Sequence, residues 1–366
     1  FGAAGTPLVF DSRRPVETAR SLGADILHWG NAGAERLRAA AAAADPALRV
    51  LQVEDGFVRS VGLGVDLNLP ASWAIDDLGI YYDATRPSRL EHLLEHHPFD
   101  EALVGRARRL IETLRANRIS KYNVAGAGFV RPPDAGTRPV VLAVGQVPGD
   151  QSIRCGRSVF GGDNLAFLAA VRAAEPDAFL VYKEHPDLSR RYRAGWLTPR
   201  EVAAHADLFV TEGDTASMLP HVDAVHTMTS LSGFEALVHG RRVTCWGAPF
   251  YAGWGLTEDR VPTPRRTRRL SLEELVAAAL VLYPVYVDPL SGLPCEVEDV
   301  IASIVAARAA GNAGGPHRIA TPFARLVRLG TRLKAAAMQP FVRPSAGGPR
   351  PPANRAGGAL RPRPPE

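Results

Sequence analysis

A chain of 366 residues, 46% hydrophobic and 22% charged, has the length of two domains of roughly 100–200 residues each and ample apolar content for their cores. Its formal charge of +5 is unevenly spread: residues 311–366 hold ten Lys/Arg and one acid, leaving about −4 on residues 1–310, so the body lacks the basic footprint of a nucleic-acid binder. Three widely spaced cysteines, Cys155, Cys245 and Cys295, argue against a disulfide framework or a zinc site and fit a reducing cytoplasm. The longest apolar run near a helix, residues 275–287, is 13 residues and contains Pro284, short of the ~20 that a membrane helix needs.

In chain order, residues 7–10 read as a strand, 16–22 as a helix, 26–29 as a strand and the alanine-rich 32–44 as a helix stopped by Asp45-Pro46. Leu48, Val50, Leu51 and Val53 then form a short buried strand. It delivers Glu54-Asp-Gly-Phe-Val-Arg-Ser60, two carboxylates and an arginine on a turn broken by Gly56. Residues 90–117 show helical spacing, and the proline- and glycine-rich segment 131–139 is the joint between domains. Beyond it, strands are expected at 140–144, 178–182, 208–211, 224–228 and 242–246, with helices at 164–174, 202–206 and 233–239. Ser271 with Glu273 and Glu274 starts a further helix. From residue 311 onward glycine, proline, alanine and arginine dominate, and the last twenty residues are expected to be disordered. The pattern predicts an α/β protein with an N-terminal domain over 1–135, a second over 138–312 and a basic tail over 313–366.

Open α/β sheets bind ligands at the carboxyl ends of their strands, so the loops there carry the chemistry. No Gly-x-Gly-x-x-Gly or phosphate-loop motif follows the first strand, and neither a Gly-x-Ser-x-Gly elbow nor a His-Glu-x-x-His pair occurs. Three clusters stand at strand ends of the second half instead. Gly145-Gln-Val-Pro-Gly-Asp150 with Arg154 presents a carboxylate near a cation. In Tyr182-Lys-Glu-His-Pro-Asp187, Lys183 and His185 can donate to an anionic phosphate. In Thr229-Ser-Leu-Ser-Gly-Phe-Glu235, Ser230 and Ser232 stand at a helix N-terminus suited to phosphate, with Glu235 one turn in. Each also has a purely structural reading: Asp150 as a turn former, His185 as a structural histidine, Ser232 as an N-cap.

These segments, with Gly62-Leu-Gly64, Asp76-Asp-Leu-Gly-Ile-Tyr-Tyr-Asp83, Ser120-Lys-Tyr-Asn123, Pro249-Phe-Tyr-Ala-Gly-Trp-Gly-Leu-Thr257 and Tyr283-Pro284, resemble the β-Kdo transferase modules of bacterial capsule-polysaccharide biosynthesis. Such modules move 3-deoxy-D-manno-octulosonic acid (Kdo) from CMP-Kdo to a lipid acceptor. The resemblance spans about residues 25–305, with Glu184 standing where the family pattern has proline. It implies two Rossmann-like domains in a GT-B-like arrangement, a retaining transfer from a CMP-sugar donor, no cofactor and no metal. Asp150 matches the catalytic carboxylate, as nucleophile or cation stabiliser, and Glu54 and Asp55 match an acid-Asp-Gly base motif. His185 matches a histidine on the CMP phosphate, and Ser230, Ser232 and Glu235 match phosphate and ribose contacts. Arg59, Lys183 and Arg154 are the candidate cations for the sugar carboxylate.

The implied partners are the CMP-sugar donor, a lipid-linked glycan acceptor, the inner-membrane surface and the capsule export machinery, with no nucleic acid. The implied location is cytoplasmic and peripheral to the inner membrane. Residues 323–334 read either as a basic amphipathic helix on anionic lipid or as a solvated basic tail. Some family members carry two such modules in one chain, and this chain covers one. The competing readings are a non-catalytic assembly or export component with the same fold, and a transferase for a related CMP-sugar such as sialic acid.

Overall fold

The computed structural model describes residues 9–61, 70–123, 128–189, 193–288 and 291–309. Gly62, Gly64 and the tail 313–366 lie outside them, as do the first two residues of the strand expected at 7–10, whose Val9 and Phe10 form no strand. The described strands are β1 (Ile26–Trp29), β2 (Val50–Asp55), β3 (Ser72–Asp76), β4 (Val140–Val144), β5 (Phe179–Lys183), β6 (Leu208–Val210), β7 (Ala224–Thr227), β8 (Arg242–Cys245), β9 (Glu258–Asp259), β10 (Pro284–Val287) and β11 (Pro294–Cys295).

The second half follows the sequence pattern closely. Its six strands are all parallel, in the order β6-β5-β4-β7-β8-β9. Counted from β4, that is 3-2-1-4-5-6, the doubly wound order whose direction of winding reverses between β4 and β7. Every residue of β4 is buried, and the strand feeds two cores: Val140, Leu142 and Val144 face one, Val141 and Ala143 the other. Burial on both faces is why this strand reads as an unbroken apolar run rather than an alternating one.

The first sheet differs from the parallel alternation that the sequence suggests. Its order is β1-β2-β3-β10-β11, and only β1 and β2 run parallel. The strand β3 returns antiparallel to β2, which needs no crossover helix, and β10 and β11 add antiparallel at its edge. Residues 284–295, grouped by sequence with the second half, therefore complete the first sheet. The helix Leu272–Val276 continues as a π-helical turn Ala277–Leu282 and leads directly into β10. There the Tyr283 hydroxyl donates to Asp76 Oδ2 at 2.9 Å, and Pro284 occupies the first strand position, the place in a strand where a missing N–H matters least.

The helical stretch expected over 90–117 is two helices, Arg89–His96 and Glu101–Asn117. Pro98 separates them, since proline cannot continue a helix interior. Ser88 and Asp100 cap their N-termini by accepting from Glu91 N and Leu103 N. The main apolar core runs without interruption from Phe57, Ala74, Leu90 and Leu110 to Leu142, Val181, Phe234 and Trp254, so both sheets share it.

Candidate active site

The point where the second sheet reverses is locked by one side chain that the sequence reading passed over. Gln146, at the end of β4, accepts from Thr229 N at 2.7 Å and donates to Thr229 Oγ1 at 3.0 Å, tying the loop after β4 to the loop after β7. Asn164 fixes the Gln146 backbone from the other side, accepting from its N–H and donating to its carbonyl. All of these groups are buried. The crevice at the strand ends is thus pre-set before any ligand enters it.

Asp150 follows on this loop as the N-cap residue of the helix Gln151–Cys155, but its carboxylate makes no capping bond. Its backbone carbonyl accepts from Ile153 N and Arg154 N, while the side chain pairs with the Arg193 guanidinium. Asp150 thus does more than shape a turn: both its carboxylate and the guanidinium of its partner are partly solvent-accessible. Arg193 was not among the sequence candidates, because its partnership with Asp150 joins segments 43 residues apart. Arg154 has no ion pair among the described residues.

His185, after β5, accepts from Asp187 N on its Nδ1 at 3.1 Å. The neutral ring therefore carries its proton on Nε2, which has no hydrogen-bond partner among the described residues. Burial lowers the pKa of this histidine, with Asp187 and Asp150 opposing that shift, so it is a neutral single donor. Lys183 points elsewhere. Its buried ammonium donates to the carbonyls of Glu184 and Thr211 at 2.9 and 3.4 Å, and burial drives its pKa down to about 8. Glu184 is also structural: it accepts from Leu197 N through Oε1, and its own N–H donates to Val210, a bond that proline could not make.

The third cluster divides in the same way. Ser230 Oγ accepts from Ser232 N at 3.2 Å at the start of the helix Ser232–Val238, and Ser230 N donates to Thr227 Oγ1. No hydrogen bond occupies Ser232 Oγ among the described residues. Glu235, expected beside a ribose, is half-buried and accepts from Lys121 N at 3.0 Å. Burial, reinforced by Asp214, pushes its pKa up to about 8, so near neutral pH it is largely protonated. The cause is tertiary: the helix face that carries Glu235 meets the 120–123 turn of the first half.

Glu54 and Asp55 end β2 with different fates. Asp55 pairs with the buried Arg59 at 2.7 Å, which commits that arginine to its own loop and not to a ligand. Glu54 accepts from Asp55 N, and burial raises its pKa. Lys121 faces both acids. Burial opposes its charge, but Tyr81, Tyr122, Asp55 and Glu54 outweigh that and raise its pKa. The Lys121 carbonyl accepts from Arg59 N, while its N–H serves Glu235, so one residue joins the acid turn to the second half.

The aromatic strings pack as scaffold. Phe57 stacks on Phe250 at 4.7 Å and meets Tyr81 edge-on at the same distance, while Tyr251 and Trp254 are fully buried. Asp76 is a hub rather than a ligand, accepting from Leu78 N, Gly79 N, Arg89 N and Tyr283.

Residues 24–288 match the family described as capsule polysaccharide biosynthesis protein. The capsule polysaccharide modification protein LipA of Neisseria meningitidis serogroup A is 46% identical over 266 residues, which cover 73% of this chain and 37% of that protein. The lipopolysaccharide-processing protein LpsZ of Rhizobium meliloti is 44% identical over 255 residues, covering 69% of this chain and 58% of the relative. The chain thus spans between about a third and three fifths of the length of these curated relatives. Two solved structures share 37% identity with it, both from KpsC of Thermosulfurimonas dismutans. The β-Kdo 2,4 transferase has a TM-score of 0.67 and covers 76% of this chain and 86% of its own. The β-Kdo 2,7 transferase has a TM-score of 0.66, covering 82% and 91%.

Proposed function

The chain belongs to the capsule polysaccharide biosynthesis protein family, and we propose that it is a retaining β-Kdo transferase that moves Kdo from CMP-β-Kdo to a lipid-linked Kdo acceptor. The observation that carries this reading is the pair of groups that follow the neighbouring strands β4 and β5: an Asp150 carboxylate free of any capping role, and His185 with an Nε2–H unengaged among the described residues. The likeness to two β-Kdo transferase structures supports the donor class. The two sheets and their reversal point support a GT-B-like arrangement with the donor on the second half.

In this reading an Asp150 oxygen attacks the anomeric carbon, forming a glycosyl ester as the bond to the CMP phosphate breaks. The leaving phosphate gains negative charge, and His185 Nε2–H donates to it. The acceptor hydroxyl then attacks from the face that CMP left, its oxygen forming the new glycosidic bond while the Asp150 ester breaks. Its proton passes to a carboxylate, for which Glu54 is better placed than Asp55. Burial raises Glu54 toward the pKa range of a working base, whereas Asp55 is held by Arg59. Two inversions retain the β configuration. Of the cations, Arg193 replaces Arg59 and Lys183 as the candidate for the sugar carboxylate, because it already reaches Asp150.

Ser230 and Ser232 offer hydroxyls at the helix start for the CMP phosphate. The place of work is the cytoplasmic face of the inner membrane, reached peripherally; among the described residues no helix is long and apolar enough to cross a membrane. The test is CMP release by the purified chain given CMP-Kdo and a Kdo-primed lipid acceptor, beside Asp150→Ala, with the product linkage read by NMR. A β-linked Kdo product from the unmodified chain alone is expected. CMP binding without turnover would favour the assembly-component reading, and faster transfer from CMP-sialic acid would replace the donor.

A further inference from the structure

A second polar cavity, of about 510 Å³, lies away from these strand ends and is lined by Arg115, Ala116, Arg118, Pro220, His239, Gly240 and Arg241. It sits at the C-terminal end of the helix Ser232–Val238, whose seven residues put it ~10 Å from Ser232 at the other end. Three guanidiniums and an imidazole converge there, and no acidic side chain lines the cavity among the described residues. Ordinary helix capping explains part of the cluster. Arg115 Nε donates to the Val238 carbonyl, and Arg308 donates to the carbonyls of Asn117 and Arg118. It does not explain Arg241, whose Nε is buried with no hydrogen-bond partner among the described residues. Arg118 beside it is exposed and has neither side-chain hydrogen bond nor ion pair among the described residues. Asp223, which the charge of Arg241 reaches only weakly, is already engaged by Arg131 and by Val140 N.

We propose that this cavity is an anion site for a phosphate ester, with Arg118 and Arg241 as its principal donors and Arg115 and His239 completing it. One guanidinium fork satisfies the two oxygens of a carboxylate. Three converging forks match a phosphate, which offers more oxygens. The volume falls within the about 300–1,000 Å³ of small-molecule sites, which leaves room for an organic substituent on the phosphate beside Ala116 and Pro220. A phospholipid headgroup and a soluble phosphate ester share this chemistry. His239 reports occupancy: burial and the charges of Arg115, Arg241 and Arg118 lower its pKa to about 4, and a bound anion offsets those charges and raises it. The inference does not depend on the transferase reading.

The test titrates the full chain with glycerol phosphate by calorimetry and by NMR of His239, and in parallel sediments it with phosphatidylglycerol and phosphatidylcholine vesicles. The same series is run on Arg118→Gln with Arg241→Gln. Saturable binding of glycerol phosphate, with the His239 pKa rising by about one unit or more and affinity falling about tenfold or more in the double variant, identifies a soluble ester. Binding to phosphatidylglycerol vesicles alone, weakened by the same substitutions, identifies a headgroup. If the double variant does not fold, the more peripheral Arg118→Gln carries the comparison. No binding to either probe, or binding indifferent to the substitutions, overturns the proposal.

Discussion

His185 and Glu235 show how one side chain's surroundings decide its work. With Nδ1 already accepting from Asp187 N, His185 has a single outward donor, so His185→Ala removes it without disturbing a cation. The expected loss is about 10²–10³ in single-turnover CMP release, with CMP affinity changed far less; an unchanged rate would remove this residue from the mechanism. Glu235 titrates near pH 8 in the folded chain, well above its unfolded value of 4.5. The native state therefore binds the extra proton between those values, and the associated stability is full below pH 4.5 and lost as pH rises through 8. Denaturation midpoints of the unmodified chain should drop between pH 6 and pH 8.5, and Glu235→Gln should flatten that drop; an equally steep variant would show that other groups are responsible. Both residues were legible as candidates from strand-end spacing, but their directions were not. Lys183 and Glu235 turn away from the crevice because backbone groups of Thr211 and Lys121, distant in sequence, reach them first.

Elements are joined by buried charge as much as by apolar packing. Glu91, on the helix Arg89–His96, pairs with Arg265 at 2.6 Å and Arg266 at 3.1 Å, and Glu91 and Arg266 are both buried. Arg266 also donates to the carbonyls of Pro249 and Ala252, which pins the loop carrying Tyr251 and Trp254 against that helix. Removing the acid leaves a buried guanidinium without its counter-charge, so Glu91→Ala should lower unfolding stability by about 3–5 kcal/mol. A loss below 1 kcal/mol by urea titration would mean that the carbonyls alone suffice. The helix itself was visible in sequence from its spacing, though merged there with the helix that follows Pro98. Its charge partners lie about 175 residues away, and no local pattern points to them. The same is true of β3 and β10, whose pairing closes the first sheet through residues that are neighbours only after folding.

For the whole molecule, the shared core makes the two sheets one thermodynamic unit. Domains that meet through small polar interfaces unfold separately; here Phe57, Leu110, Val144, Phe234 and Ile301 belong to one buried cluster. Unfolding followed by far-UV circular dichroism and by tryptophan fluorescence should give coincident transitions, and two separated midpoints would show independently stable halves. The sequence by itself determined five of the second sheet's six strands, β4 to β8, the longer helices between them and the loops that bear Asp150, His185 and Ser232. A strand buried on both faces and a capped helix write themselves into local periodicity. Tertiary structure alone decided that β10 returns to the first sheet, that Gln146 locks the switch point, that Arg193 meets Asp150 and that Arg59 serves Asp55. It also gathered Arg115, Arg118 and Arg241 around one cavity. Each of those depends on which distant backbone or charge arrives beside a side chain, and periodicity carries no information about arrivals.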